Sequence, residues 1–186
     1  MDILDEAIIF ATKAHSGSTR KGTSIPYIVH PLETGAIAAT LTDDREVIAA
    51  AVLHDVVEDT EVGGEELTKR FGKRVASLVM SDSEDKMREM SASDSWQTRK
   101  ERTLDSLLTA DRDEQIIYLA DKLSNIRAIC RDYRVLGERL WERFNQKDKA
   151  KHAWYYRGIA ERLGMLKESA AYEEYVSLLN QAFGNQ

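Results

Sequence analysis

The chain has 186 residues, 42% of them hydrophobic and 31% charged, enough for one compact domain with its own core. A net charge of −6 and a pI near 5.3 argue against a surface that wraps nucleic acid, which normally carries a basic stripe. Its single cysteine, Cys130, leaves no intrachain disulfide, and no apolar run reaches the roughly 20 residues of a membrane helix.

Met1 to Ala14 carries acidic residues in an amphipathic pattern unlike a secretion signal, so a cytoplasmic location is expected. Only two prolines occur, Pro26 and Pro31, and most later segments show apolar residues at helical spacing. The expectation is an all-α fold of about nine or ten helices in a single domain over 1–186. Helices are predicted over about residues 2–15, 31–41, 44–58, 64–71, 73–80, 96–109, 113–131, 148–163 and 168–183. Pro31 suits a first helical turn and places His30 at a helix entrance, while Thr42-Asp43-Asp44 is an N-cap cluster for the third helix. The polar stretch 81–95 is predicted to be a loop able to move over a site. Nothing in the pattern speaks to oligomeric state.

Three segments carry chemistry. In the third predicted helix, His54 and Asp55 interrupt an otherwise apolar run, where ionised groups need a partner, and an imidazole beside a carboxylate offers two ligands to a divalent cation. His54 and Glu58 share one face at i and i+4, with Asp55 and Asp59 beside them. The bland alternative is a solvated helix end with His54 as a core histidine. A second apolar pattern, Ile116 to Arg127, repeats the oddity with Asp121 and Asn125 at i and i+4, although Lys122 and Ser124 suggest that part of this helix meets water. The third is a turn-prone segment in which Arg20 and Lys21 precede His30-Pro31; taken alone, it reads equally well as a solvated loop.

Together these segments resemble the HD-domain metal phosphohydrolases, and more closely the hydrolase module of the RelA/SpoT homologues in its small, single-domain form. The matching stretches are Ala14-His15-Ser16-Gly17 with Arg20-Lys21, Pro26 to Pro31, Leu53 to Thr60, Phe71-Gly72, Ser83 to Lys86 with Arg99-Lys100, and Leu119 to Asn125. The resemblance implies His30, His54, Asp55 and Asp121 as ligands of one Mn²⁺. It implies Glu58 and Asp59 near the attacking water, Asn125 orienting substrate or water, and Arg20 and Lys21 contacting the nucleotide. The implied substrates are guanosine tetra- and pentaphosphate alarmones, cleaved at the ribose 3′ position. Ser18 and Ser124 depart from the glutamine and histidine common in the long two-domain enzymes, which bears on nucleobase preference. The chain ends without room for a synthetase domain, so degradation alone is expected. Two other readings remain: a phosphatase of NADPH or a related adenosine nucleotide, and a non-catalytic nucleotide-binding module. Trp141, Phe144, Trp154, Tyr155 and Tyr156 could border a base pocket but are read as core, Lys86, Arg99 and Lys151 could reach phosphate but are read as solvated cations, and His15 and His152 are read as structural or surface residues.

Overall fold

The computed structural model describes residues 1–82 and 91–184. The elements are α1 (Ile3–Ala14), α2 (Val29–Ala38), α3 (Arg45–Leu53), α4 (Val56–Asp59), α5 (Gly64–Asp82), α6 (Trp96–Ser106), α7 (Arg112–Leu136), α8 (Lys149–Arg162) and α9 (Ala170–Phe183), with 3₁₀ turns at Gly137–Arg143 and Gly164–Leu166. No strand occurs among the described residues, so the all-α expectation holds.

Two helices organise the rest. Every residue of α3 from Val47 to Leu53 is buried, and a helix that is apolar all round has to be enclosed: α1, α2, α5 and α7 all pack on it. The longest helix, α7, also carries α2 and α9 and buries Ile116, Ile117, Leu119, Leu123 and Ile126. It starts from a capping box, in which the Asp111 side chain accepts from the Glu114 amide and the Glu114 side chain accepts from the Asp111 amide. The Asp44 carboxylate caps α3 by accepting from the Glu46 amide at 2.9 Å, and Thr42 Oγ1 accepts from the Asp44 amide at 3.1 Å, as the sequence led one to expect.

Boundaries differ where side chains intervene. The segment 44–58, expected as one helix, breaks at His54-Asp55 into α3 and α4. His54 Nδ1 bonds the Ala51 carbonyl at 2.8 Å, the acceptor that the Asp55 amide would use in an unbroken helix. The two helices expected over 64–71 and 73–80 are the halves of α5, separated by Gly72 at φ 88°, a left-handed backbone that glycine alone adopts easily. Helix α7 runs to Leu136, further than expected, and ends at Gly137. Of the predicted loop 81–95, Ser81 and Asp82 belong to α5, whereas 83–90, with Ser83 to Lys86, lies outside the described residues.

Candidate metal centre and its cleft

The break between α3 and α4, the first turn of α2 and the middle of α7 meet at one point. His30 Nε2 lies 3.1 Å from Asp121 Oδ1 and 3.5 Å from Asp55 Oδ2, and His54 Nε2 lies 3.0 Å from Asp55 Oδ2 and 3.6 Å from Asp121 Oδ1. The donor atoms of His30, His54 and Asp121 all fall within 4.8 Å of one another. His30, His54 and Asp121 are almost fully buried, at 3%, 1% and 4% exposure.

The donor chemistry fits a cation. A carbonyl has no proton to give, so His54 Nδ1 must donate to Ala51 and the neutral ring is left with a bare Nε2. That nitrogen is buried without a hydrogen-bond partner, although two carboxylates stand next to it. Lone pairs converging in this way need positive charge between them. Burial works against a proton on His54, yet Asp55 and Asp121 outweigh it and raise its pKa well above the imidazole range. Burial likewise opposes charge on Asp55 and Asp121, but their cationic neighbours hold both well below the carboxylate range. Donors about 2.0–2.2 Å from a shared divalent ion stand about 3.0–3.6 Å apart, the range of the four imidazole–carboxylate separations found here, and His30, His54 and Asp121 form the tight group that Asp55 flanks. Two imidazoles with two carboxylates make a borderline-hard ligand set.

Around this cluster the carboxylates are held in place. Tyr27 donates to Asp55 Oδ2 at 2.6 Å, and burial, then Asp55 and Asp59, push its phenol far above its usual range, so it stays a donor. Asn125 Nδ2 donates to Asp121 Oδ1 at 2.5 Å. Lys122 Nζ donates to Asp121 Oδ2. The water-facing character expected of Lys122 and Ser124 is overturned: the Lys122 side chain is only 14% exposed, and Ser124 is buried against His30. Asp82, at the end of α5, is pushed up to about 6 by burial and by Asp121; no sequence signal marked it beyond a place at the start of a polar stretch. His15, read as structural or surface, is buried with its ring centroid 4.9 Å from that of Tyr27.

A cleft of about 440 Å³ opens beside the cluster, lined by Tyr27, Glu58, Asp59 and Asn125 and by five cations, Arg20, Lys21, Lys100, Arg131 and Arg143, the last two paired with Asp132, which also lines it. The isolated antiparallel bridge between Thr19 and Pro26 closes the loop that carries Arg20 and Lys21. Arg20 donates to Asn125 Oδ1 at 2.6 Å and lies over the Tyr27 ring at 5.6 Å, and Lys21 donates to Asn145 Oδ1 at 2.8 Å. All nine residues singled out from the sequence therefore belong to the cluster or line this cleft. Sequence reasoning missed Arg131 and Arg143 and named Lys100 only within a matching stretch, without a role; their convergence has no local signature. Tyr156 is a core residue as expected, 8% exposed, and also borders the cleft, as does Phe144, which packs against the core. The core reading holds for Trp141 and Tyr155, each 3% exposed, while Trp154 is 39% exposed. Lys86 falls outside the described residues.

Fold and site together define an all-helical protein with two histidines and two carboxylates poised at a cationic cleft. The chain belongs to the HD-domain family, whose model matches residues 7–166. It is 37% identical over 134 residues to a GTP pyrophosphokinase of Myxococcus xanthus, covering 69% of this chain and 17% of that protein. It is 34% identical over 131 residues to a guanosine-3′,5′-bis(diphosphate) 3′-pyrophosphohydrolase of Vibrio cholerae, covering 69% and 18%. The chain thus spans less than a fifth of the length of these curated relatives. Among solved structures, a metazoan ortholog of SpoT described as hydrolysing ppGpp superposes with a TM-score of 0.80 at 24% identity, covering 100% of this chain and 98% of the other. The protein lmo0812 of Listeria monocytogenes superposes with a TM-score of 0.71 at 29% identity, covering 88% and 99%. Among the described residues, no helix is long and apolar enough to cross a membrane.

Proposed function

We propose that this chain is a metal-dependent phosphohydrolase that removes the 3′-pyrophosphate of guanosine tetra- and pentaphosphate, leaving GDP or GTP. The observation that carries this reading is the cluster of two imidazoles and two carboxylates beside a cleft whose lining includes Arg20, Lys21 and Lys100, together with Arg131 and Arg143, which also pair with Asp132: cations beside a metal-ligand set suit a polyphosphate. The reaction in the names of the Vibrio cholerae relative and of the metazoan ortholog of SpoT supports the choice of substrate.

His30, His54, Asp55 and Asp121 would hold one Mn²⁺, which supplies Lewis-acid stabilisation of charge on the phosphoryl group. Glu58 lines the cleft four residues after His54 and takes the proton of the attacking water, with Asp59 beside it orienting that water. The water oxygen bonds to the phosphorus next to the ribose, the bond from that phosphorus to the 3′ oxygen breaks, and the leaving 3′ oxygen takes up the proton that Glu58 removed from the water. Arg20 and Lys21 bind the nucleotide, the guanidinium by stacking on a base or by a fork to phosphate. Asn125, bonded to both Arg20 and Asp121, orients the scissile group between the cationic wall and the carboxylates. Residues 1–186 act as one hydrolase domain in the cytoplasm, on a small-molecule nucleotide, with no nucleic-acid or membrane partner.

The test is to incubate metal-stripped protein with guanosine tetraphosphate, with and without Mn²⁺, and to resolve the products by anion exchange. GDP and pyrophosphate are expected only with metal. Turnover without metal, or none with it, would sink the proposal, and the same assay on NADPH would then show whether an adenosine nucleotide is the substrate.

A further inference from the structure

A chain of polar groups, none of which lines the cleft, runs from His30 in the metal cluster to α9. His30 Nδ1 lies 2.8 Å from Ser124 Oγ, and Ser124 Oγ donates to Glu33 Oε2 at 2.8 Å. Arg127 donates to Glu33 Oε1 at 3.0 Å and makes a two-pronged pair with Glu174, both contacts being 2.7 Å.

The direction of these bonds follows from counting protons. A serine hydroxyl has one proton and an ionised carboxylate has none. Once Ser124 gives its proton to Glu33, its oxygen can only accept from His30, so the proton of the neutral imidazole has to be on Nδ1. The lone pair is then on Nε2, the atom that faces Asp55 and Asp121. His54 reaches the same tautomer through the Ala51 carbonyl; His30 lacks such a fixed acceptor, because a hydroxyl can rotate and donate instead.

We infer that Glu33, acting through the Ser124 hydroxyl, is a positioning residue that holds His30 in the tautomer able to bind a metal. The inference rests on the metal-dependent reading above. Glu33 is three residues from His30 on α2, and Ser124 is on α7, so the relay also registers the two helices that contribute His30 and Asp121. Arg127 holds the other Glu33 oxygen and so keeps Oε2 aimed at Ser124. Carboxylates behind a ligating histidine raise its basicity and typically change metal affinity by about 10–100-fold.

The test titrates Mn²⁺ and Zn²⁺ calorimetrically into the metal-stripped full chain and its Glu33→Ala, Glu33→Gln and Glu174→Gln variants. Imidazole ¹⁵N spectra of the Zn²⁺-loaded forms read which His30 nitrogen is protonated, and circular dichroism checks the fold. Glu33→Ala frees Ser124 to donate to Nδ1, so affinity should fall by about 10–100-fold while the helical signal persists. Glu33→Gln, whose side-chain oxygen still accepts from Ser124, should recover most of that loss, and Glu174→Gln should bind metal like the parent. Parental affinity in Glu33→Ala would overturn the relay, as would an equal loss in Glu174→Gln, which would place the effect in the Arg127 clamp, or a Zn²⁺-loaded parent with its His30 proton on Nε2. A parent that binds neither metal would instead remove the functional reading and the relay with it. Turnover is not measured, so a wrong choice of nucleotide leaves this result standing.

Discussion

Gly35 and Val52 bring α2 and α3 into direct contact: a Cβ on Gly35 would stand 2.4 Å from Val52 Cγ2. Gly35 follows His30 by five residues and Val52 precedes His54 by two, so this contact sets how closely the two imidazoles approach. Their ring centroids are 5.0 Å apart. A Gly35→Ala substitution should destabilise the fold by about 1–3 kcal/mol, the usual cost of overpacking against a stiff β-branched neighbour. It should also weaken divalent-metal binding by separating His30 from His54. Adding Val52→Ala should restore much of both, and thermal melts with metal titrations of the single and double variants would show whether it does.

Asp121 and Glu58 should separate metal binding from turnover. Asp121 touches the His30 imidazole and anchors Asn125 and Lys122, so Asp121→Ala should lose metal and activity together. Glu58→Gln should keep the metal and lower kcat by about 10²–10⁴-fold, the usual worth of a positioned proton acceptor. Metal content by emission spectroscopy, read beside steady-state rates, checks both. A fully active Asp121→Ala or Glu58→Gln protein would end the corresponding assignment.

Lys122 is a largely enclosed cation, paired with the buried Asp121. Removing one partner of a buried ion pair leaves the other uncompensated, so Lys122→Met should lower stability by about 3–5 kcal/mol in denaturant melts of the metal-free protein. Added Mn²⁺ should return part of that stability, because a ligand bound only by the folded state stabilises it. If the substitution were neutral, Asp121 would not depend on this ammonium.

Arg20 connects the cleft to the cluster through Asn125. Arg20→Lys keeps the charge but loses the planar fork and the stacking face over Tyr27. It should raise KM nearly as much as Arg20→Ala, with a smaller effect on kcat. Full recovery by lysine would reduce the role of Arg20 to a point charge.

Asp44, the α3 cap, accepts from Arg74, which also bonds Glu46 and Asp113 and so ties α3, α5 and α7 together. The Arg74 hydrogen bond, working against slight desolvation, holds the Asp44 carboxyl below its ordinary value. A carboxyl with a depressed folded-state pKa adds stability above its unfolded pKa and loses it as pH falls through the folded value. The stability gap between the parent and Arg74→Ala should therefore be present at neutral pH, close in acid below the ordinary carboxylate range, and shrink in high salt because the pair is exposed. Melts across pH and salt would show this, and a gap that persisted in acid would contradict it.

The helices were legible because periodicity is local: Val47 to Leu53 reads as a buried helix by itself, and Gly72 marks the break in α5. His54 and Asp55 stood out because charge in an apolar run needs a partner, and Asp121 and Asn125 because the oddity recurs on a second helix. Sequence determined the elements and the residue types able to hold a metal. Tertiary structure decided which polar side chains face each other. Lys122 and Ser124 read as water-facing until α2 and α5 covered α7, and Ser124 meets Glu33 across 91 residues of chain while Arg20 meets Asn125 across 105. The cationic cleft is of the same kind: Arg20 and Lys21 precede α2, Lys100 is on α6, Arg131 on α7 and Arg143 in the turn after it. Pairings of this kind depend on how helices pack, through burial and contact that no short window of sequence contains.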